Sequence, residues 1–236
     1  MKELVERLRC AGRVTVLTGS GISAESGLPT FRGVGGLWRT HRLEELASPG
    51  GFQRDPQLVW TWYNERKAAH KRAQPNAGHL ALVELESRIS DFTLVTQNVD
   101  SLHCRAGSKN VLELHGHLRE ARCTHCKIRR PMENGLPLDE IAHHCGGTFR
   151  PDIVWFGEGL DQNIWAAAAD AAARSEVMLV VGTSGMVNPA AALATRFAKD
   201  AYLAEINPEE TVISAGCDFV VRRPAAVALP ELLALL

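Results

Sequence analysis

The stretch that most constrains the fold is residues 14–32, V-T-V-L-T-G-S-G-I-S-A-E-S-G-L-P-T-F-R. Its first residues are apolar and β-branched, and glycines and small residues then follow abruptly, which predicts a buried strand that turns tightly into a helix. Residues 19–24 match the pattern G-x-G-x-x-G/A, in which glycines allow the turn and let a pyrophosphate approach free backbone N–H groups. This stretch therefore predicts a dinucleotide site, with ordinary turn chemistry as the alternative.

The residues that follow differ from those of an ordinary dehydrogenase. Such an enzyme places an acidic residue at the end of a second strand roughly 20 residues further on. Here residues 27–38 form a glycine-rich loop instead. We expect Phe31 and Arg32 to close over a bound dinucleotide, with Phe31 shielding a reactive sugar from water. A glycosyl cation needs such cover and hydride transfer does not, so the loop favours chemistry at the sugar.

The composition is that of an ordinary globular protein, with 45% hydrophobic and 22% charged residues in a chain of 236. The formal net charge is −1 and the basic residues are dispersed, so we expect no direct nucleic-acid binding. No apolar run approaches the length of a membrane span, and residues 1–9 lack the apolar core of a signal peptide. We therefore expect a cytoplasmic protein with no membrane partner.

Apolar, strand-like segments alternate with helical segments along most of the chain. The clearest strands are residues 92–96, 178–181 and 201–206, and the clearest helices are residues 55–73 and 77–88. This alternation predicts the α/β class, with a Rossmann-like, doubly wound parallel sheet. We expect that part to comprise residues 1–32, 76–118 and 150–236, with a small domain made of a helical segment, 33–75, and a zinc ribbon, 119–149.

Three cysteines indicate a metal site in the 119–149 segment. Cys123 and Cys126 form a C-x-x-C knuckle, and Cys145 followed by two glycines resembles half of a second one. In a reducing compartment this clustering favours a metal over disulfides, and the spacing is typical of a structural zinc ribbon. The alternative is a degraded site without metal.

Polar residues follow two of the predicted strands. Asn98 and Asp100 come after residues 92–96, where open α/β sheets bind ligands, and they suit a carboxamide and a ribose. His115 follows residues 111–114, and a neutral imidazole is a natural general base for a ribose hydroxyl. The alternatives are a polar strand cap and a structural histidine.

Taken together, these motifs resemble the sirtuins, the NAD-dependent protein lysine deacylases, over residues 14–225, and the bacterial members most closely. The resemblance rests on residues 19–32, on Q-N-V-D at 97–100, on H-G before the cysteine knuckle and on V-W-F-G-E at 154–158. It implies NAD as co-substrate, one structural Zn²⁺, acylated lysine side chains of proteins as substrate, His115 as catalytic base, and Asn98 ordering the ribose and a water. The NAD contacts that it implies are Gly19, Ser20, Gly21, Ile22, Ala24, Glu25, Thr30, Phe31, Arg32, Trp38, Gln97, Asn98, Val99, Asp100, His115, Gly182, Thr183, Ser184, Asn207, Pro208, Glu209 and Ala225.

This chain departs from the family pattern at two places. Sirtuins usually present four cysteines, but Ala142 stands where the fourth is expected. His143 is our preferred replacement, and His144 or no fourth ligand are the alternatives. The glycine that the family usually has near Ala225 is Arg223 here, which weakens the expected adenine contact.

The resemblance also implies a substrate tunnel. Its residues are Val154, Trp155, Phe156, Gly157, Glu158, Met186 and Val187. Tyr63 and Arg66 are spaced i, i+3, so they share a helix face on which a phenol and a guanidinium can hold one carboxylate. Y-x-x-R resembles the branch that removes succinyl and malonyl groups (class III), whereas the alternative is a packed Tyr63 and a solvated Arg66.

The leading hypothesis is an NAD-dependent protein lysine deacylase. It would remove acetyl groups, and succinyl or malonyl groups as well, and produce nicotinamide, O-acyl-ADP-ribose and free lysine. One alternative keeps the NAD site but transfers ADP-ribose to a protein. The other is a non-catalytic module that senses NAD or ADP-ribose.

Overall fold

A computed structural model describes residues 1–31 and 43–236. Its strands are β1 (Arg13–Thr18), β2 (Asp91–Thr96), β3 (Val111–Glu113), β4 (Gly116–Cys123), β5 (Arg129–Pro131), β6 (Phe149–Ile153), β7 (Val177–Val181), β8 (Tyr202–Ile206) and β9 (Phe219–Val221). Its α-helices are α1 (Lys2–Cys10), α2 (Leu43–Leu46), α3 (Pro49–Arg54), α4 (Pro56–Arg72), α5 (Ala77–Arg88), α6 (Leu102–Ala106), α7 (Gln162–Arg174) and α8 (Ala225–Ala234).

Six of these strands form a parallel sheet in the order β3-β2-β1-β7-β8-β9. β1 lies at the centre, where Val16 is aligned with Leu94 of β2 and Leu179 of β7. β2 and β3 lie on one side of β1, and β7, β8 and β9 lie on the other. The predicted doubly wound parallel sheet is therefore confirmed.

Both faces of the parallel sheet are covered, so β1, β2 and β7 are buried almost throughout. Val16 faces a core formed with α1, α5 and α8, which contribute Leu8, Leu82 and Leu229. Leu17 points to the opposite face, where α7 and a π-helical turn at Leu193–Phe197 pack.

The predicted long helices are present and their starts have local causes. Asp55 caps α4, because its side chain accepts a hydrogen bond of 2.9 Å from the Leu58 N–H, and Pro56 occupies the first helical position. Asn76 caps α5 in the same way through Gly78. The glycine-rich turn after β1 differs from the prediction, since it continues as a 3₁₀ helix, Ser20–Ser26, and ends at Gly27 in a left-handed conformation.

The remaining strands form a small antiparallel sheet in the order β5-β4-β6. Its apolar side packs against α4, where the Trp60 indole N–H donates a 2.8 Å hydrogen bond to the Phe149 carbonyl. Leu118 and Phe149 belong to the same buried cluster as Val59 and Trp60. Residues of the helical segment and of the ribbon thus share a core, and the boundaries given above for the two domains stay a prediction.

Among the helices of residues 1–31 and 43–236, we find none with the length and apolar character needed to cross a membrane.

Candidate functional site

A cavity of about 510 Å³ opens at the carboxyl ends of the parallel strands. The loops after β1, β2, β7 and β8 border it on one side, and α4 and the segment after β6 border it on the other. Of the predicted NAD contacts, those that line it are Gly19, Ser20, Gly21, Ala24, Glu25, Thr30, Phe31, Gln97, Asn98, Val99, His115, Gly182, Thr183, Ser184, Asn207, Pro208 and Glu209. All of the predicted substrate residues line it too: Tyr63, Arg66, Val154, Trp155, Phe156, Gly157, Glu158, Met186 and Val187.

Two glycine backbones meet where the chain leaves β1 and β7. The Gly21 N–H donates a 2.8 Å hydrogen bond to the Gly182 carbonyl, and Gly182 has a φ of +60°. A Cβ atom on Gly21 would lie 2.7 Å from the Gly182 Cα, closer than such atoms approach in proteins. The two loops touch because neither residue has a side chain, and their contact forms the floor of the cavity at the switch point of the sheet.

His115 stands between the strand-end loops and the α4 side of the cavity. Its Nδ1 lies 3.0 Å from the Gln97 carbonyl oxygen, which can only accept, so Nδ1 carries the proton and Nε2 keeps its lone pair. Burial lowers the pKa of His115, an effect that the hydrogen bond to Gln97 opposes. The imidazole is therefore a neutral base of fixed tautomer at pH 7.

Asn98, Ser23 and Asp100 form a connected set of hydrogen bonds behind the cavity. The Asn98 amide donates to the Gly19 carbonyl at 3.0 Å and to Ser23 Oγ at 3.2 Å, and Ser23 donates to Asp100 at 2.8 Å. Asp100 also accepts from the Leu102 N–H at 2.8 Å. Burial raises the pKa of Asp100, while these two donors oppose the shift. The set holds the Asn98 amide at the rim of the glycine turn.

Tyr63 and Arg66 lie on the same face of α4, as their spacing predicts, and both border the cavity. The Arg66 guanidinium contacts two aromatic rings, 4.7 Å from the Phe31 centroid and 4.8 Å from that of Trp62. Arg66 Nε is buried and has no hydrogen-bond partner within the described ranges. Burial lowers the pKa of Arg66 and raises that of Tyr63 to about 12. Arg66 is thus half-buried at the cavity wall, and its role as a ligand for a carboxylate stays a prediction.

Three predicted NAD contacts among residues 1–31 and 43–236 do not line the cavity. Ile22 is fully buried in the core behind the glycine turn, and Asp100 faces Ser23. Ala225 begins α8 and packs against Gly78 of α5, so its position is explained by the core. Arg32 and Trp38 lie outside the described residues.

The cavity also includes residues that sequence reasoning missed. Thr211 and Val212 extend the loop after β8 beyond the predicted Asn207–Glu209 contacts, and a longer strand-end loop was the signal for them. Ala47 and Leu160 carry no pattern that marks them, since they reach the cavity only through the packing of the small region.

Cys123, Cys126, Cys145 and His143 form one cluster, and their ligand atoms all lie within 4.8 Å of one another. His143 Nδ1 is 3.0 Å from Cys145 Sγ and 3.6 Å from Cys126 Sγ, and the two sulfurs of Cys123 and Cys145 are 3.5 Å apart. A tetrahedral Zn²⁺ site with metal–ligand bonds of about 2.0–2.3 Å needs such spacings. The donor set therefore fits a structural zinc site, and His143 occupies the fourth position.

Comparison with known proteins agrees with this geometry. The Sir2 family model matches residues 19–189. An NAD-dependent protein deacylase 2 from Pyrobaculum aerophilum is 47% identical over 235 residues, which cover 97% of this chain and 93% of that protein.

Two solved structures extend the comparison. A mutant Sir2 homologue in complex with 2′-O-acetyl ADP ribose is 42% identical with a TM-score of 0.93, and the match covers 99% of this chain and 95% of that one. A Sir2 structure with a p53 peptide and NAD⁺ is 29% identical with a TM-score of 0.89, covering 99% and 97% of the two chains. The chain described here belongs to the Sir2 family.

Proposed function

We propose that this protein is an NAD-dependent protein lysine deacylase. The observation that carries the proposal is the neutral His115 imidazole at the junction of the two halves of the cavity, with its tautomer set by the Gln97 carbonyl. The relatives named above are deacylases or Sir2 proteins bound to NAD⁺, peptide or acetyl ADP ribose, which supports the same reaction.

Different residues along the cavity have different roles in the proposed reaction. NAD supplies the nicotinamide leaving group and the ribose that receives the acyl group from lysine. The glycine turn at Gly19 and Gly21 lets the phosphates come close to the backbone, because neither residue has a side chain, and Asn98 orients the ribose. His115 Nε2 takes a proton from a ribose hydroxyl, while Phe31 covers that side of the cavity and excludes water.

Zinc has a structural role in this proposal. Cys123, Cys126, Cys145 and His143 would fill all four positions of a tetrahedral Zn²⁺ site, which would leave no position for substrate or water. The ion would hold the small antiparallel sheet in place. A thiolate site of this kind is consistent with a reducing, cytoplasmic location, which we propose as well.

Product analysis tests the reaction. The purified protein is incubated with NAD⁺ labelled in its ADP-ribose part and with acylated peptide, and products are separated by mass spectrometry. We expect free lysine peptide, nicotinamide and labelled O-acyl-ADP-ribose in equal amounts. Label on protein would establish ADP-ribosyl transfer instead, and NAD binding without turnover would establish a sensing module.

We further propose that acidic acyl groups, succinyl or malonyl, are substrates as well as acetyl. The support is the half-buried Arg66, whose Nε has no partner within residues 1–31 and 43–236, beside the Tyr63 hydroxyl. A buried cation costs free energy unless it is paired, and the carboxylate of such an acyl chain would supply the partner. An acetyl group has no carboxylate and leaves Arg66 as it is.

The Arg66→Met variant tests this preference. We expect kcat/KM for a succinyl peptide to fall about a hundredfold, because removing one partner of a buried charge pair typically costs a few kcal/mol, while the value for the same peptide with acetyl stays level or rises. Tyr63→Phe should act in the same direction more weakly. Equal loss on both peptides would mean that Arg66 only holds α4 in place, and the protein would then be a plain deacetylase.

A further inference from the structure

A tight turn follows β6 and carries Trp155 and Glu158. The Glu158 N–H donates a 3.0 Å hydrogen bond to the Trp155 carbonyl, and Gly157 has the φ of +87° that the third position of such a turn requires. The Glu158 carboxylate folds back and accepts from the Trp155 backbone N–H at 2.8 Å. The turn is thus closed by its own acidic side chain.

Arg150, on β6, holds this turn from the inside of the protein. It is only 7% exposed, and its guanidinium makes a bidentate ion pair with the Glu158 carboxylate. The distance from Nη2 to Oε2 in this pair is 2.8 Å. The same Nη2 donates to the Ile153 carbonyl at 2.9 Å. The guanidinium carbon also lies 3.5 Å from the centre of the Trp155 ring, so Arg150 holds both the turn and the indole plane.

The indole in turn sets the direction of a hydrogen bond. Trp155 Nε1 donates to the Tyr63 hydroxyl oxygen at 3.0 Å, and both side chains are buried. An indole N–H can only donate, so the phenol oxygen must accept and its own proton stays available. No second hydrogen bond to that oxygen occurs among the described residues, and Tyr63 borders the cavity beside Arg66.

We propose that Arg150 is a positioning residue for acyl selection. By locking the Trp155 indole, it makes Tyr63 a donor that points its proton at the carboxylate of an acidic acyl chain. This inference rests on the proposed preference for succinyl or malonyl groups. Burial raises the pKa of Tyr63 to about 12, so the hydroxyl keeps its proton at pH 7.

Two conservative variants test the proposal. Arg150→Lys keeps a positive charge beside Glu158. It removes the planar group that stacks on the indole, and it also removes the bidentate geometry of the ion pair. Trp155→Phe keeps a ring in the core but removes the N–H donor. Both are assayed with one peptide carrying either succinyl or acetyl, and the readout is the ratio of the two kcat/KM values, with kcat and KM determined separately.

We expect each variant to lower the succinyl-to-acetyl ratio about threefold to tenfold, the value of one hydrogen bond, mainly through the KM for succinyl peptide. Arg129→Lys is the matched control, because Arg129 pairs with Asp152 on the outer side of the same small sheet. We expect it to change the ratio less than about twofold. If Arg150→Lys does not fold, as judged by thermal unfolding, Trp155→Phe decides the question.

The double variants with Tyr63→Phe separate the possible failures. We expect Tyr63→Phe to lower the ratio, and Arg150→Lys or Trp155→Phe to lower it no further in that background, because the hydroxyl they orient is gone. An equal additional loss in both backgrounds would overturn the role of Arg150 and leave the acyl preference standing. An unchanged ratio in Tyr63→Phe itself would overturn the acyl preference, and this inference with it.

Discussion

The two ends of the cavity are built in different ways. The cofactor end, which we define as residues 19–24, 97–100, 182–184 and 207–209, consists of loops at the ends of parallel strands, and most of these residues line the cavity. The acyl end, which we define as Tyr63, Arg66 and residues 154–158, consists of large side chains from α4 and from the turn after β6. Backbone placement shapes the first end, whereas contacts between segments 92 residues apart, such as Tyr63 with Trp155, shape the second.

The two ends also differ in how their polar groups are satisfied. At the cofactor end, the Asn98 amide, Ser23 and Asp100 bond one another and the backbone. At the acyl end, Arg66 Nε has no partner in the described part of the chain. An unpaired buried donor costs free energy until a ligand supplies its acceptor. The Asn98, Ser23 and Asp100 side chains are therefore satisfied by the protein itself, whereas under the acyl preference proposed above an acidic acyl chain would supply the acceptor for Arg66 Nε.

The largest expected effect comes from the residue between the two ends. His115→Ala should lower kcat by about a hundredfold to ten-thousandfold, the usual value of a general base, while the Kd for NAD changes little. Turnover and calorimetric NAD binding are measured on the same preparation. Parallel losses in both would show that His115 supports the structure and is not a base.

The pH dependence of turnover gives a second readout of the same residue. Burial lowers the pKa of His115 below its usual 6.5. The imidazole therefore becomes protonated, and stops acting as a base, only at a lower pH. We expect the acidic limb of the kcat/KM profile to lie below pH 6.5. A limb above that value would contradict the assignment.

Removal of the metal should affect the acyl end and leave NAD binding at the cofactor end unchanged. Cys145→Ser takes away one of four ligands, and we expect metal affinity to fall by at least about tenfold, since even the loss of an outer partner costs that much. The small sheet then loosens, so peptide binding weakens while NAD still binds at the cofactor end. Metal analysis, peptide KM and NAD Kd measure the three effects, with about one zinc per chain expected before the change. A folded, active wild-type protein without zinc would contradict this prediction.

A smaller effect should come from the floor of the cofactor end. Gly21→Val places a side chain against the Gly182 backbone, and we expect a loss of about 1–3 kcal/mol in the free energy of unfolding together with weaker NAD binding. Gly159→Val is the control, because within the described ranges no atom beyond its chain neighbours lies within 4 Å of its Cβ position. Similar losses in both variants would mean that the contact with Gly182 is not what requires glycine.

The smallest expected effect concerns buried histidines behind the two ends. Burial lowers the pKa of His79 to about 4 and those of His70 and His103 to about 3. The unfolded chain therefore binds protons at these residues near pH 6.5 and the folded chain does not, so stability falls as the pH drops from 6.5 towards 4.

Urea unfolding at pH 7 and pH 6 measures this loss. We expect the free energy of unfolding to fall by about 0.7 kcal/mol for each of these three histidines between pH 7 and pH 6. His70→Leu, on the acyl side, should remove about one third of that combined loss. An unchanged pH slope in His70→Leu would show that His70 takes up its proton in the folded state.

Much of the cofactor end could be predicted because its signals are local. A buried strand followed by glycines, and polar residues directly after a strand, are patterns of neighbouring residues, and the parallel sheet brings all such strand ends to one edge. The Ala225 side chain is part of the core between α8 and α5, and the contact with NAD that the resemblance implies for this residue stays a prediction.

The acyl end and the metal cluster could be predicted less fully from the sequence, because their arrangement depends more on the tertiary structure. The sequence alone placed Tyr63 and Arg66 on one helix face, and it named three cysteines, because helix periodicity and knuckle spacing are short-range properties. Only the folded chain decided that His143 is the histidine beside the cysteines. Residues 142 and 148 pair, and the turn between them brings His143 Nδ1 to within 3.0 Å of Cys145 Sγ.

The direction of the Glu158 side chain was likewise settled by the fold. Its carboxylate bonds Arg150, which has no motif that marks it, and the Trp155 backbone, while the substrate contact that the resemblance implies for Glu158 stays a prediction. Local sequence determines which backbone conformations are available. Which side chains meet across distant segments is decided by the packing of the whole chain, since each such contact depends on the position of two elements at once.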